Sequence, residues 1–220
     1  CLISIFLRIF AKLGFEDVGF KKGPVKFYFY AVGLPLVIAF VVNIVCMVLD
    51  IRDFSFIAIE TLNQALPKIA MTLALGLFGA LGEELGWRGF LLPKMHEAKI
   101  SSPYLWSGLI WALWHLPIVV FGNYYAHGSP PLIALAYVLS IVAINFVISY
   151  FRDSSDSLWV AVVFHAAHNF LFQLAIPYLI FTKPGSRIEL WETIGADCGF
   201  LVAAGYTISY LSIRQRRQAT

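Results

Sequence analysis

The run KFYFYAVGLPLVIAFVVNIVCMVL, residues 26–49, decides the fold class of this 220-residue chain. After Lys26 it holds no charged side chain, and about 20 apolar residues in a helix cross the ~30 Å hydrocarbon core of a bilayer. In lipid every backbone polar group needs a partner within the protein, which helices provide. The run therefore predicts a transmembrane helix.

The pattern recurs along the chain, which is 60% hydrophobic and only 13% charged, with a mean hydropathy of +0.77. Five further apolar stretches are long enough to span, at roughly 68–92, 103–121, 132–150, 158–181 and 194–213. Connections between them are short and contain no low-complexity linker. We therefore expect an all-α fold, a polytopic transmembrane helical bundle of about six spans in a single membrane domain over residues 1–220.

Residues 1–13 form a shorter apolar run. On a helix Leu2, Phe6 and Ile9 can share one face, whereas Arg8 and Lys12 lie elsewhere. This pattern predicts an interfacial amphipathic helix or the tail of a span truncated at the first residue.

Basic residues in short loops predict the orientation, because Lys and Arg are retained on the cytoplasmic side. With the first full span running outward, nine basic residues fall on the cytoplasmic side and four on the outer side. We expect a multi-pass integral membrane protein with cytoplasmic termini, in the plasma membrane if the chain is prokaryotic. No contiguous basic stripe is present, so the expected partner is the lipid bilayer and not nucleic acid.

Three predicted spans carry ionisable residues, each of which costs about 2.5–3.5 kcal/mol at mid-helix unless it is paired or functional. At ~1.5 Å per residue, Glu83 lies about 14 Å from the cytoplasmic end of its span, His115 about 18 Å and His165 about 10 Å. Within the uncertainty of the helix ends these depths agree, so one wet cavity open to the cytoplasm accounts for all three.

Helix spacing assigns the faces. Glu84 and Arg88 are four residues apart and can form an ion pair, which leaves Glu83 turned by about 100° from that pair. His165 and Asn169 are also four apart and can point into the same cavity, whereas His168 is interpreted as a packing residue or as one that supports the site from behind. A buried ion pair can be purely structural, and a single membrane histidine often only hydrogen-bonds a neighbouring helix. Their joint occurrence on three spans favours function.

These residues resemble the three motifs of the CAAX protease and bacteriocin-processing family of intramembrane peptidases, whose eukaryotic relatives are the type II CAAX prenyl endopeptidases. The motifs are two glutamates with an arginine four beyond the second, an aromatic residue with a histidine four on, and a histidine with an asparagine four on. The residues that match them, over roughly 68–181, are Glu83, Glu84 and Arg88; Trp111 and His115; and His165 and Asn169.

The resemblance implies a role for each residue. Glu83 would act as general base with His115 as its partner in activating water, and His165 and Asn169 would stabilise the oxyanion. Glu84 with Arg88 would support the helix and orient Glu83. No cofactor is favoured, although zinc is an alternative, with Glu83, His115 and His165 as the ligands. The absence of HExxH favours the metal-free glutamate mechanism.

The predicted function is therefore an intramembrane endopeptidase that hydrolyses a peptide bond in a membrane-associated or prenylated, CAAX-like substrate. Serine and aspartyl intramembrane proteases are disfavoured, because the sequence contains neither a GxSG nor a GxGD motif. A transporter or proton relay is the alternative from another class, since intramembrane Glu, His and Arg also mark ion paths. A non-catalytic bacteriocin-immunity or scaffold member of the same family is a further alternative.

Overall fold

The computed structural model describes residues 2–49, 52–54, 59–121, 130–175, 180–182 and 199–218. The helices are α1 (Leu2–Phe10), α2 (Val25–Val48), α3 (Ile59–Gly86), α4 (Leu92–Glu97), α5 (Pro103–Phe121), α6 (Pro130–Ser155), α7 (Leu158–Asn169) and α8 (Gly199–Gln218). A 3-10 turn covers Glu16–Val18, and π-helical turns cover Trp87–Leu91 and Phe170–Ala175. The predicted all-α membrane fold is confirmed.

Four helical segments in the described ranges are long and apolar enough to cross a membrane: Val25–Val48, Ile69–Glu97, Pro103–Phe121 and Ala134–Ser155. They correspond to the first four predicted spans. The predicted fifth span is a shorter apolar helix, Leu158–Phe172, and the predicted sixth corresponds to α8, with residues 194–198 lying outside the described residues. Large apolar side chains such as Phe29 and Phe78 point outward while Glu84 and Arg88 are buried, the arrangement expected in lipid.

The predicted end of the fifth span is wrong. Residues 180–182, IFT, form strand β2 (Ile180–Thr182), which pairs antiparallel with β1 (Arg52–Phe54) in the register Arg52↔Thr182. Aromatic and β-branched residues favour strands when a partner strand is present. That partner lies far away in the sequence, so a local hydropathy pattern does not reveal it.

The chain divides into two compact units, and the prediction of one membrane domain remains a prediction. The first unit comprises residues 1–37, 55–103 and 148–179, and the second comprises 38–54, 104–147 and 180–220. In the first unit α3 packs on α7 around Val18, Ala80, Leu158 and Val162. This packing holds together the helices that carry the first and third motifs.

In the second unit α5 packs against α6 through a buried amide. The Asn145 side chain donates to the carbonyl of Tyr104 at 2.6 Å and to the hydroxyl of Ser107 at 3.0 Å. The Ser140 hydroxyl donates to the carbonyl of Gly199 at 2.7 Å, which joins α6 to the start of α8. Polar contacts of this kind commonly join helices in membranes, because an unsatisfied polar group in hydrocarbon is costly.

A π-helical turn separates α3 from α4. Within it the amide of Leu92 donates to the carbonyl of Trp87, five residues back instead of four. Two residues beyond the turn lies Pro93, whose ring removes an amide hydrogen and crowds the carbonyl four residues before it. The turn relieves that crowding at the end of the first motif, and such turns occur frequently at functional sites.

Candidate active site

The first and third motifs meet in the first unit. Oε1 of Glu84 accepts hydrogen bonds from Nη1 of Arg88 at 2.8 Å and from Nδ1 of His165 at 2.8 Å. The predicted ion pair between Glu84 and Arg88 is confirmed. Its carboxylate also holds His165, which lies 81 residues further along the chain, so Glu84 joins α3 to α7.

This carboxylate is completely enclosed. Glu84 has no exposed surface and Arg88 is 1% exposed. An ionised carboxylate in such a site needs charged or hydrogen-bonding partners to offset the loss of water. Its second oxygen, Oε2, is buried and has no hydrogen-bond partner among the described residues. The stability of the ion therefore depends on Arg88 and His165 together.

Glu83 lies one residue before this pair and has a different environment. Its side chain is only partly buried, and it lies near enough to the Arg88 guanidinium for an electrostatic interaction. Adjacent helical residues point about 100° apart. The two glutamates therefore divide into an enclosed residue, Glu84, and a more accessible one, Glu83.

The third motif lies on α7. A carboxylate can only accept, so the bond to Glu84 places a proton on Nδ1 of His165. Asn169, one helical turn further on, is the last residue of α7, and the second π-helical turn begins immediately after it. His168 packs its ring on Phe172 at 4.6 Å between centroids, in keeping with its interpretation as a packing residue.

His115 belongs to the second unit, where aromatic rings surround it. Its ring centroid lies 4.7 Å from that of Trp114 and 5.7 Å from those of Trp111 and Tyr137. Its Nδ1 lies 3.0 Å from the carbonyl oxygen of Trp111, which can only accept. This contact places the proton on Nδ1, so in the neutral ring Nε2 carries the lone pair that a base or a metal ligand uses.

The predicted zinc ligands are divided between the units, with Glu83 and His165 in the first and His115 in the second. In the described ranges, no three His, Cys, Asp or Glu side chains form a group that could hold a metal ion. Nδ1 of His165 donates to Glu84, so a metal on this ring would have to bind Nε2.

Two features of the first unit were not predicted from the sequence. One is the bond between Glu84 and His165, because i to i+4 spacing identifies partners on one helix but not on another. The other is Arg8, interpreted only as the polar side of α1, which is 3% exposed and donates from Nη2 to the carbonyl of Gly89 at 2.6 Å. The available signal in the sequence was a single arginine within the apolar run of residues 2–10, where a charge is costly unless it has a partner.

Comparisons with known proteins agree with the motifs. Residues 65–171 match the model of a family described as type II CAAX prenyl endopeptidase Rce1-like. CAAX prenyl protease 2 of Methanococcus maripaludis is 29% identical over 122 residues, which cover 53% of this chain and 44% of the relative. The chain thus spans less than half the length of that curated relative.

Proposed function

We propose that this chain, whose residues 65–171 match the Rce1-like model of type II CAAX prenyl endopeptidases, belongs to that family and is an intramembrane endopeptidase acting on a membrane-associated substrate. The proposed substrate class is a peptide or protein that ends in a prenylated, CAAX-like sequence, as the name of the relative indicates for that protein. The observation that carries the proposal is the contact between the first and third motifs through Glu84 and His165.

In the proposed reaction, Glu83 takes a proton from water while Nε2 of His115 assists through a second hydrogen bond. The water oxygen then forms a bond to the carbonyl carbon of the scissile peptide. A positioned general base of this kind contributes about 10²–10⁴ in rate. The partial exposure of Glu83, next to an enclosed Glu84, supports this division of labour.

His165 and Asn169 are proposed to hold the oxyanion that forms on the carbonyl oxygen. His165 already donates from Nδ1 to Glu84, and in its doubly protonated form it would also donate from Nε2 to the oxyanion. One preorganised donor is worth about 10²–10³ in rate. When the tetrahedral species collapses, the C–N bond breaks and Glu83 passes its proton to the leaving amine.

Cleavage of a defined substrate tests the function. We expect the full-length protein in liposomes to cut a farnesylated peptide with a CAAX-type ending, with mass spectrometry locating the broken bond. The same peptide without the lipid is the control and should be cut more slowly, because the lipid concentrates the substrate in the bilayer. Absence of cleavage with both peptides, under conditions in which the protein is folded, would contradict the proposed activity.

Removal of metal tests the mechanism. Zinc could use Glu83, His115 and His165 to polarise a carbonyl and lower the pKa of bound water, but we favour the metal-free route. We therefore expect unchanged kcat after exhaustive chelation, with metal content verified by elemental analysis. Loss of activity that stoichiometric zinc restores would show instead that a metal takes part.

The orientation in the membrane also belongs to the proposal. Cytoplasmic termini would place the loop between α6 and α7 and the residues before α2 on the cytoplasmic side. Lys21 and Lys22 lie before α2 and Arg152 lies in the last turn of α6, and retained positive charge is the usual mark of that side. The site would then open toward substrates made in the cytoplasm.

A further inference from the structure

Residues 8–23, which we term the N-terminal hook, lie outside the segment that matches the family. The hook runs from the second half of α1 through the 3-10 turn to the residues before α2. All of its contacts described below fall within the first unit. The hook contacts both α3 and α7, the helices that carry Glu84 and His165.

Arg8 connects the hook to the π-helical turn that contains Arg88 of the first motif. Nη1 donates to the carbonyl of Gly14 at 2.7 Å and to Oδ1 of Asp17 at 2.6 Å, and Nη2 donates to the carbonyl of Gly89 at 2.6 Å. The guanidinium also lies 5.8 Å from the ring centre of Phe15 and 5.4 Å from that of Phe90. Three acceptors and two aromatic faces therefore fix one buried cation.

The acceptor at Gly89 has a structural reason to need this donor. In a regular helix its carbonyl would accept from the amide of residue 93, but Pro93 has no amide hydrogen. Gly89 also packs closely on the hook, since a Cβ at this position would lie 3.2 Å from Cγ1 of Val18. Arg8 thus supplies a hydrogen-bond donor to Gly89, which follows Arg88 within the π-helical turn.

The part of the hook that follows the 3-10 turn is hydrogen-bonded to the start of α7. The carbonyl of Gly19 accepts from the amide of Leu158 at 2.7 Å, and the carbonyl of Asp17 accepts from Nη2 of Arg152 at 2.8 Å. Gly19 has a φ of +83°, and a Cβ there would collide with the Arg152 guanidinium. The backbone therefore approaches the α6–α7 connection as closely as glycine permits.

The hook is held by a charge pair as well as by backbone bonds. Burial raises the pKa of the Asp17 carboxyl, but the hydrogen bond and charge of Arg8, with smaller contributions from a backbone hydrogen bond and from Lys94, outweigh this effect, and the net pKa is below its usual value. A lowered folded-state pKa means that the ionised pair stabilises the fold above the ordinary pKa of the carboxyl. That contribution is lost as the pH falls through the folded-state pKa.

We propose that Arg8 is a positioning residue. Through the hook it fixes the position of α3 and its π-helical turn relative to α7, and this maintains the Glu84–His165 contact. The kinetic consequence rests on the proposed function, whereas the contact itself does not. A displacement of about 1 Å in a catalytic group can lower a rate by about 10². Loss of Arg8 should act on kcat and not on substrate binding.

The test compares Arg8→Met and Arg8→Lys with Lys22→Met, a control that removes an exposed charge from the same hook. With the farnesylated peptide we expect Arg8→Met to lower kcat by about 10–10² with KM unchanged. The kcat of Arg8→Lys should lie between that of Arg8→Met and that of the wild type. The kcat of Lys22→Met should equal that of the wild type. Adding Pro93→Ala to Arg8→Met restores a helical donor for Gly89 and should recover part of the lost kcat.

A second readout does not depend on activity. The Nδ1 proton of His165 should give a downfield proton NMR signal, assigned by its loss in His165→Gln. We expect the signal to shift or broaden in Arg8→Met and to persist in Lys22→Met, even if the wild-type protein cleaves no prenylated peptide. Wild-type kcat and an unchanged signal in folded Arg8→Met would overturn the proposal. If that variant does not fold, the same results for Arg8→Lys would overturn it.

Discussion

Glutamine in place of Glu83 is expected to lower kcat for peptide cleavage by about 10²–10⁴ while KM changes little. The amide keeps the size of the side chain but cannot accept the proton of the attacking water at neutral pH. Glu83 is the more accessible of the two adjacent glutamates, and Glu84 already accepts from Arg88 and His165. The loss should therefore fall on the chemical step, which single-turnover kinetics with the farnesylated peptide measures.

Glu97→Gln is the matched control for this variant. Glu97 lies on the same continuous helical segment, but it is exposed and pairs with Lys94. Its substitution should leave kcat and the thermal unfolding midpoint unchanged. Full activity in Glu83→Gln would show that another group accepts the proton and would remove Glu83 from the mechanism.

Leucine in place of Glu84 should destabilise the fold by about 3–5 kcal/mol, because it leaves the Arg88 guanidinium buried without its carboxylate. Arg88 is 1% exposed, so water cannot replace the lost partner without a local opening of the packing. We expect a markedly lower thermal unfolding midpoint in detergent micelles. Catalysis should be lost as well, since His165 loses the acceptor for Nδ1.

The double variant Glu84→Leu/Arg88→Met separates these two effects. Replacing a buried ion pair by apolar groups of similar size is often neutral for stability, so the unfolding midpoint should recover. The kcat should remain low, because His165 still lacks the carboxylate that orients it. A double variant that is both stable and fully active would show that Glu84 only holds the helix.

The features that the sequence predicts well are those governed by local rules. The span at residues 103–121 is found as Pro103–Phe121, because length and apolarity alone define a helix in lipid. The Glu84–Arg88 pair is found because residues four apart on a helix are neighbours. Neither inference requires knowledge of the other helices.

The features that the sequence does not reveal depend on contacts between distant residues. His165 lies 81 residues from Glu84, and Arg8 lies 81 residues from the carbonyl of Gly89. The strand at 180–182 requires its partner at 52–54. In each case the partner is selected by tertiary packing, so periodicity and hydropathy identify the residue but not its contact.

The outward face of α1 has a practical consequence for enzymology. Leu2 and Phe10 are 79% and 70% exposed, whereas Arg8 on the opposite face is enclosed by protein. We expect lipid to cover this apolar face and thereby to keep Arg8 beside the π-helical turn. Detergents that remove this lipid should destabilise the packing of α1 first. Turnover measured in short-chain detergent micelles should therefore be lower than turnover in a bilayer.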